Sequence, residues 1–236
     1  MITKVLIILS FILLSLGFAT ENKMTENEQY MDETISSDIK MGFLSKDEVT
    51  NRAIELVADN GFEKEISKSW VKSNIKQKYT ALLKETKHWK SPSDVDLLIK
   101  VFHTLANNKI IALHNAGYTT REGEEEVADV LKVLKNKYKK RPKGFCFYHQ
   151  QDLERATTSN ISNLLLAFGT LEEYNDKNTI LIGKQIVATL REYGFKINWD
   201  ESASKRIEIL NFKWQKLYDP SVDLMDYERV IHLMSK

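Results

Sequence analysis

The chain has 236 residues, of which 42% are hydrophobic and 28% charged, and its formal net charge is +1. The composition is that of a globular protein, and the near-neutral balance excludes a whole-molecule field directed at nucleic acid or an anionic membrane. A single cysteine, Cys146, excludes an intramolecular disulfide and any zinc site built on paired cysteines.

The uncharged run VLIILSFILLSLGFA, from Val5 to Ala19, follows Lys4 and the α-amino group. Its length suits the hydrophobic region of a secretory signal and falls short of a comfortable bilayer span. Gly17 and Ala19 are small residues at the −3 and −1 positions of a cleavage after Ala19. Residues 1–19 are therefore read as a signal peptide, with an uncleaved inner-membrane anchor as the alternative, and the compartment as periplasm or cell envelope. Residues 20–44 are polar and acidic with no clean period, which predicts a flexible linker.

Ser45-Lys46-Asp47-Glu48 is a capping-box pattern, and Val49, Ala53, Leu56 and Val57 follow at helical spacing up to Asn60-Gly61. Ile66, Trp70, Ile75, Tyr79, Leu82 and Leu83 make the stripe of a second helix. Ser91-Pro92-Ser93-Asp94 starts a third, with Pro92 at its first position and Leu97, Leu98, Val101, Phe102 and Leu105 inward.

The pattern then changes. Ile110 to His114 is short and β-like, Asn115 to Tyr118 turns the chain, and Glu122 to Tyr138 is an amphipathic helix. Gly144 to His149 and Leu164 to Phe168 read as strands, and Ile180 to Tyr193 as a helix stopped by Gly194. Phe195–Asp200 and Arg206–Phe212 read as an antiparallel hairpin, and Val222 to Met234 as a C-terminal helix. The order predicts an α+β fold: a mixed β-sheet of about five strands with helices packed on one side, preceded by a helical N-terminal subdomain. The corresponding spans are 45–108 for the helical region, 109–216 for the α+β domain and 217–236 for the terminal helix.

The segments ALHNAGYTTREG (112–123), GFCFYHQQDLERA (144–156) and LLLAFG (164–169) together resemble a bacterial family of domains of unknown function. IGKQIVATLREYGFKINWD (182–200) and RIEILNFKW (206–214) follow in the same order, so the resemblance covers roughly 94–216. The most specific stretch is FYHQQDLERA. The resemblance implies the extent of a domain and no activity, cofactor or catalytic residue. Some members carry paired cysteines where this chain has Thr119 and Thr120, so no metal role for that loop is implied here.

Two polar clusters stand at strand ends, where side chains and free helix-start amides converge. One is His149, Gln150, Gln151, Asp152, Glu154 and Arg155; the other is His114 and Asn115 with Tyr118, Thr119, Thr120, Arg121 and Glu122. If the strands before them are parallel neighbours, both histidines reach the same sheet edge, where α/β ligands bind. His149 would then act as general base, oriented by Asp152 or Glu154, with His114 beside it. The competing reading makes the same residues caps, turn ligands and solvated charges. Cys146, flanked by Phe145 and Phe147, reads as a buried inert thiol. The run Lys135 to Lys143 holds six basic residues and reads as a solvated helix end that can touch phosphates or anionic lipid. Asp200 and Arg206 read as a pair across the hairpin.

No phosphate loop, nucleophile elbow or dinucleotide fingerprint is present in the sequence. The favoured expectation is an exported, non-catalytic binding or interaction module, including an immunity-type factor, with a protein partner. No cofactor, no metal and no nucleic acid is expected, and the membrane is engaged only through an uncleaved N-terminus. The alternative is a hydrolase-type or metal-assisted enzyme using the two histidine-bearing strand ends.

Overall fold

A computed structural model describes residues 23–158, 162–173 and 175–236. The signal-type run at 1–19 lies outside the described residues. Among the described residues no helix is long and apolar enough to cross a membrane.

The chain folds in two layers of different character. The first is a three-helix layer: α1 (Glu26–Met41), α2 (Lys46–Asp59) and α3 (Lys68–Glu85). Where the sequence reading expects a flexible linker, the structure has α1. Thr25 and Glu28 form a capping box at its start, and Gly42 closes it in the left-handed region. Met31, Ile35 and Ile39 recur every fourth residue and are buried against Val49, Ala53 and Val57 of α2 and Val71 and Ile75 of α3. The polar residues between them mask that stripe from a reading by composition.

The second layer is a five-stranded mixed sheet of order β1-β2-β3-β5-β4. Its strands are β1 (Ile110–Leu113), β2 (Gly144–Phe147), β3 (Leu164–Thr170), β4 (Ile197–Asn198) and β5 (Ile207–Ile209). β1 and β2 are parallel, joined through α5 (Thr120–Asn136), and every other pairing is antiparallel. The hairpin around the Trp199-Asp200-Glu201-Ser202 turn is present, with Asn198 opposite Glu208.

Strand alternation sorts side chains to two faces. Ile110, Ala112, Cys146, Leu164, Leu166, Ile207 and Ile209 meet α4 (Asp94–Asn107) and α7 (Asp176–Glu192). On the other face, Ile111, Leu113 and Phe147 are covered by α5 and by α8 (Tyr227–Ser235). One-sided packing therefore describes the β3–β5–β4 end, whereas the β1–β2 end is sandwiched. Gly123 in α5 permits this contact: a Cβ there would stand 2.3 Å from Phe147 Cε2. The buried face of α4 belongs to the sheet, so the helical layer proper ends before it. Ser93 caps α4 and Pro92 precedes the cap rather than opening the helix. α8 begins later than periodicity predicts, because Asp219 and Asp223 accept backbone N–H groups in turns at Ser221 and Met225.

The chain after β5 returns to the helical layer and ties it down. Trp214 Nε1 donates to Met41 O at 3.1 Å, and the buried Lys216 Nζ to Gly42 O at 2.7 Å. A side chain at position 42 would meet Lys216 O at 2.6 Å, so the left-handed glycine is also a packing requirement.

Candidate functional site

The parallel register decides the fate of the two histidines. Leu113 pairs with Phe147, so the next residues in step are His114 and Tyr148, and His149 lies one position further on. His114 stays on the α4 face. It stacks on Phe102 at 4.3 Å between ring centroids, and its Nδ1 lies 3.2 Å from Tyr148 Oη. Burial is the main cause that pushes its pKa down to about 3, helped by His103, Arg229 and Lys216. It lines a cavity of about 20 Å³, room for a water, with His103, Asp223 and Arg229. Asn115, in the left-handed region, donates toward Met225 Sδ at 3.6 Å, and its Oδ1 has no partner among the described residues.

His149 turns to a different set of partners. The backbone N–H of Asp152 donates to His149 Nδ1 at 3.3 Å. Its Nε2 lies 3.1 Å from Asp152 Oδ2 and 3.2 Å from Arg206 Nη1, so both ring nitrogens are engaged. Arg206 Nη1 donates to the same carboxylate at 2.8 and 3.0 Å, and Arg155 Nη1 approaches it at 3.4 Å. Burial lowers the His149 pKa, Asp152 works against that, and Arg206 and Arg155 add to it. The lone pair a general base needs is occupied by a backbone donor. His149 therefore orients a fully buried Asp152, and no proton acceptor is free on it.

The structure thus corrects the shared histidine site. Both residues end parallel strands at one sheet edge, but they turn to separate partners, His114 to Phe102 and Tyr148, His149 to Asp152 and Arg206. Arg206 also differs from expectation. Asp200 pairs with Lys205 at 2.6 Å instead, and Arg206, opposite in direction to the buried Ile207, crosses to Asp152. Nothing local in sequence marks this, since the partners are far apart in the chain. Among the described residues no group of three or more His, Cys, Asp or Glu side chains is placed to hold a metal ion. Cys146 is buried, and burial pushes its thiol pKa up.

The remaining predicted residues divide cleanly. Arg121 is exposed and pairs with Glu125 at 3.2 Å on its own helix. Gln151 N donates to Tyr118 O at 3.4 Å, as Gln150 N does to Gly117 O at 3.0 Å, which locks the two strand-end loops together. Tyr118, Gln150 and Glu154 line one groove of about 740 Å³. α6 (Gln150–Thr158) forms one wall and α1 and α2 the other, through Tyr30, Asp32, Ser37, Asp38 and Arg52. The α1 contribution was hidden from sequence reasoning by the linker assignment.

Asp38 is the most unusual group in that groove. It is only 5% exposed and pairs with Arg52 Nε at 3.4 Å. Its pKa is raised, first by burial, against the opposing pull of Arg52 and with a further push from Glu154. Gln150 Nε2 donates to Glu154 Oε1 at 2.8 Å, holding the second carboxylate in place. Ser37 Oγ is buried without a partner among the described residues. A buried carboxyl group, a neighbouring carboxylate and an unsatisfied hydroxyl at one concave surface suit the binding of a hydrogen-bonding, cationic group.

The chain belongs to the family described as a domain of unknown function (DUF6891), which matches residues 24–218. The match begins at α1 and ends after the return strap at Lys216, so both walls of the groove lie within it. No curated protein and no solved structure matches the chain.

Proposed function

We propose that the protein is a non-catalytic binding module of the cell envelope. Its ligand site on this reading is the groove between α1–α2 and the carboxyl edge of β1 and β2, and its ligand a cationic segment of another protein. The observation that carries the reading is the groove itself. Its lining holds Asp32, Glu33, Asp38 and Glu154 against Lys40 and Arg52, with Asp32 paired to Lys78 behind the lining and Asp38 to Arg52 within it. Tyr30 and Tyr118, 48% and 47% exposed, stand along it. Half-exposed tyrosines are the residues on which protein interfaces concentrate their energy, and they receive Lys and Arg side chains on their ring faces. The polar lining and open shape suit a peptide segment better than an apolar small molecule. An immunity-type role is one form of the same reading. Export is supported by the Val5–Ala19 run, and fractionation that recovers a full-length cytoplasmic protein overturns that part.

A photo-crosslinking residue at Tyr118, in full-length protein in cells, tests the site. One discrete adduct is expected there and none from the same residue at Leu83, exposed on α3. Equal or absent crosslinking at the two positions refutes the groove as a binding surface.

The enzyme reading leaves the histidines and rests on Asp38 beside Glu154, since a carboxyl group with a raised pKa next to a carboxylate is a starting point for acid–base work. Hydrolysis of a panel of ester, amide and glycoside reporters, abolished by Asp38→Asn, would favour it over the binding role. A panel left untouched counts against it.

A further inference from the structure

At the opposite end of the sheet, where β2 begins, a second concave surface of about 600 Å³ is lined by Lys135, Lys139, Lys140, Arg141, Pro142, Leu171 and Glu172. We infer that it is an anion site that takes a phosphate group. Four of the seven lining side chains are cations and one is a carboxylate. Among the described residues none of the four cations forms an ion pair, while nearby Lys137 is occupied by the ring of Tyr138 at 5.1 Å.

The backbone that presents these charges is pinned, which separates the surface from a solvated tail. Lys139 adopts a left-handed φ of 56°, which turns the chain sharply out of α5. Lys140 N donates to Leu134 O at 3.0 Å and closes the helix end. Lys143 N donates to Lys109 O at 2.9 Å, and Lys143 O accepts from Leu171 N at 2.8 Å. The loop backbone is thus held between β1 and the end of β3, so the four cations are presented from fixed positions around one concavity. Like charges held around one concavity repel, and a multiply charged anion relieves that repulsion. The lining holds no aromatic side chain on which a base would stack, so the chemistry recognised is the phosphate group rather than a nucleobase. Lysine and arginine donors, with one arginine fork, match phosphate oxygens.

The test uses the full chain and its Lys140→Gln/Arg141→Gln variant, with Lys72→Gln/Lys76→Gln on α3 as the control for net charge. Inorganic phosphate is titrated at low ionic strength against backbone amide shifts of 135–143. Vesicles of phosphatidylglycerol in phosphatidylcholine, against phosphatidylcholine alone, are titrated in parallel. Saturable shifts confined to this loop support the site, and each cation removed should weaken binding roughly five-fold. Vesicle binding that falls in the loop variant and not in the control assigns the phosphate to a lipid headgroup. Phosphate binding without that difference assigns it to a free ligand. Membrane attachment through the N-terminal run would be equal in all variants and so does not confuse the comparison. If the loop variant and the control behave alike toward both probes, the inference is wrong. Recovery of binding in Lys140→Arg/Arg141→Lys, where charge is kept, is required as well.

Discussion

His114 offers the sharpest test of the tertiary arrangement, because its neutrality is chiefly a consequence of burial, with the nearby His103, Arg229 and Lys216 adding to it. In the unfolded chain it takes a proton near pH 6.5; in the folded protein it resists to about 3. A depressed folded-state pKa contributes stability that is present above the unfolded value and lost as pH falls below it. Each pH unit in that window removes roughly 1.4 kcal/mol, so moving from pH 7 to pH 5 costs about 2 kcal/mol from this one residue. His114→Gln keeps a hydrogen-bonding group within reach of Tyr148 and does not titrate. It should lower stability at pH 7 by roughly 1–2 kcal/mol through loss of the stack on Phe102, yet flatten the dependence on pH. With a urea slope of roughly 2 kcal/mol per molar, the wild-type midpoint should fall by about 1 M more than the variant's between the two pH values. His103 and His149, whose pKa values are also lowered, leave both proteins a common slope. Parallel curves for wild type and variant would refute a buried, neutral His114 and with it the packing of β1 against α4.

Asp38 should behave with the opposite sign. Its folded-state pKa is raised, so its contribution is complete below 3.8 and is lost as pH rises through the folded value. Asp38→Asn is expected to keep or gain stability at pH 7, by roughly 1 kcal/mol or less in urea unfolding, while crosslinking from Tyr118 weakens. A clear loss of stability would recast Asp38 as a structural ion-pair partner of Arg52. Arg206→Met leaves the buried Asp152 carboxylate short of its best donor and should cost roughly 2–4 kcal/mol, less than a fully buried pair because Arg206 is a third exposed. Asp200→Asn, which breaks the exposed pair with Lys205, should leave the unfolding midpoint where it is. Gly123→Ala forces a methyl onto Phe147 and to 2.8 Å from Ala116 O, so thermal unfolding should show a loss of roughly 1–3 kcal/mol despite alanine's higher helix propensity.

Much of this molecule is legible one segment at a time. The Ser45–Glu48 capping box, the stripe of Leu98, Val101, Phe102 and Leu105, and the alternation of Ile207 and Ile209 each state a local structure, because caps and periodic burial depend on neighbours in sequence. α1 shows the limit of that reasoning. Met31, Ile35 and Ile39 carry a helical period, but the surrounding acids and serines give the stretch the composition of a spacer, and its helix is stabilised by burial against α2 and α3. At the carboxyl edge of β1 and β2, Tyr118, Gln150 and Glu154 line a groove whose other wall is α1 and α2, and no local pattern shows that wall.

Sequence alone determined the α+β class, the strands and helices that follow Ser45, and the strand ends that carry polar residues, since these follow from spacing and capping chemistry. Only the tertiary structure decided which polar residues meet. A one-residue offset in the parallel register separates His114 from His149. The crossing from β5 brings Arg206 to Asp152, and the return of the chain through Lys216 fastens the end of α1 beside the sheet. Those contacts join residues tens of positions apart, and their energy comes from shared burial, which no local pattern records.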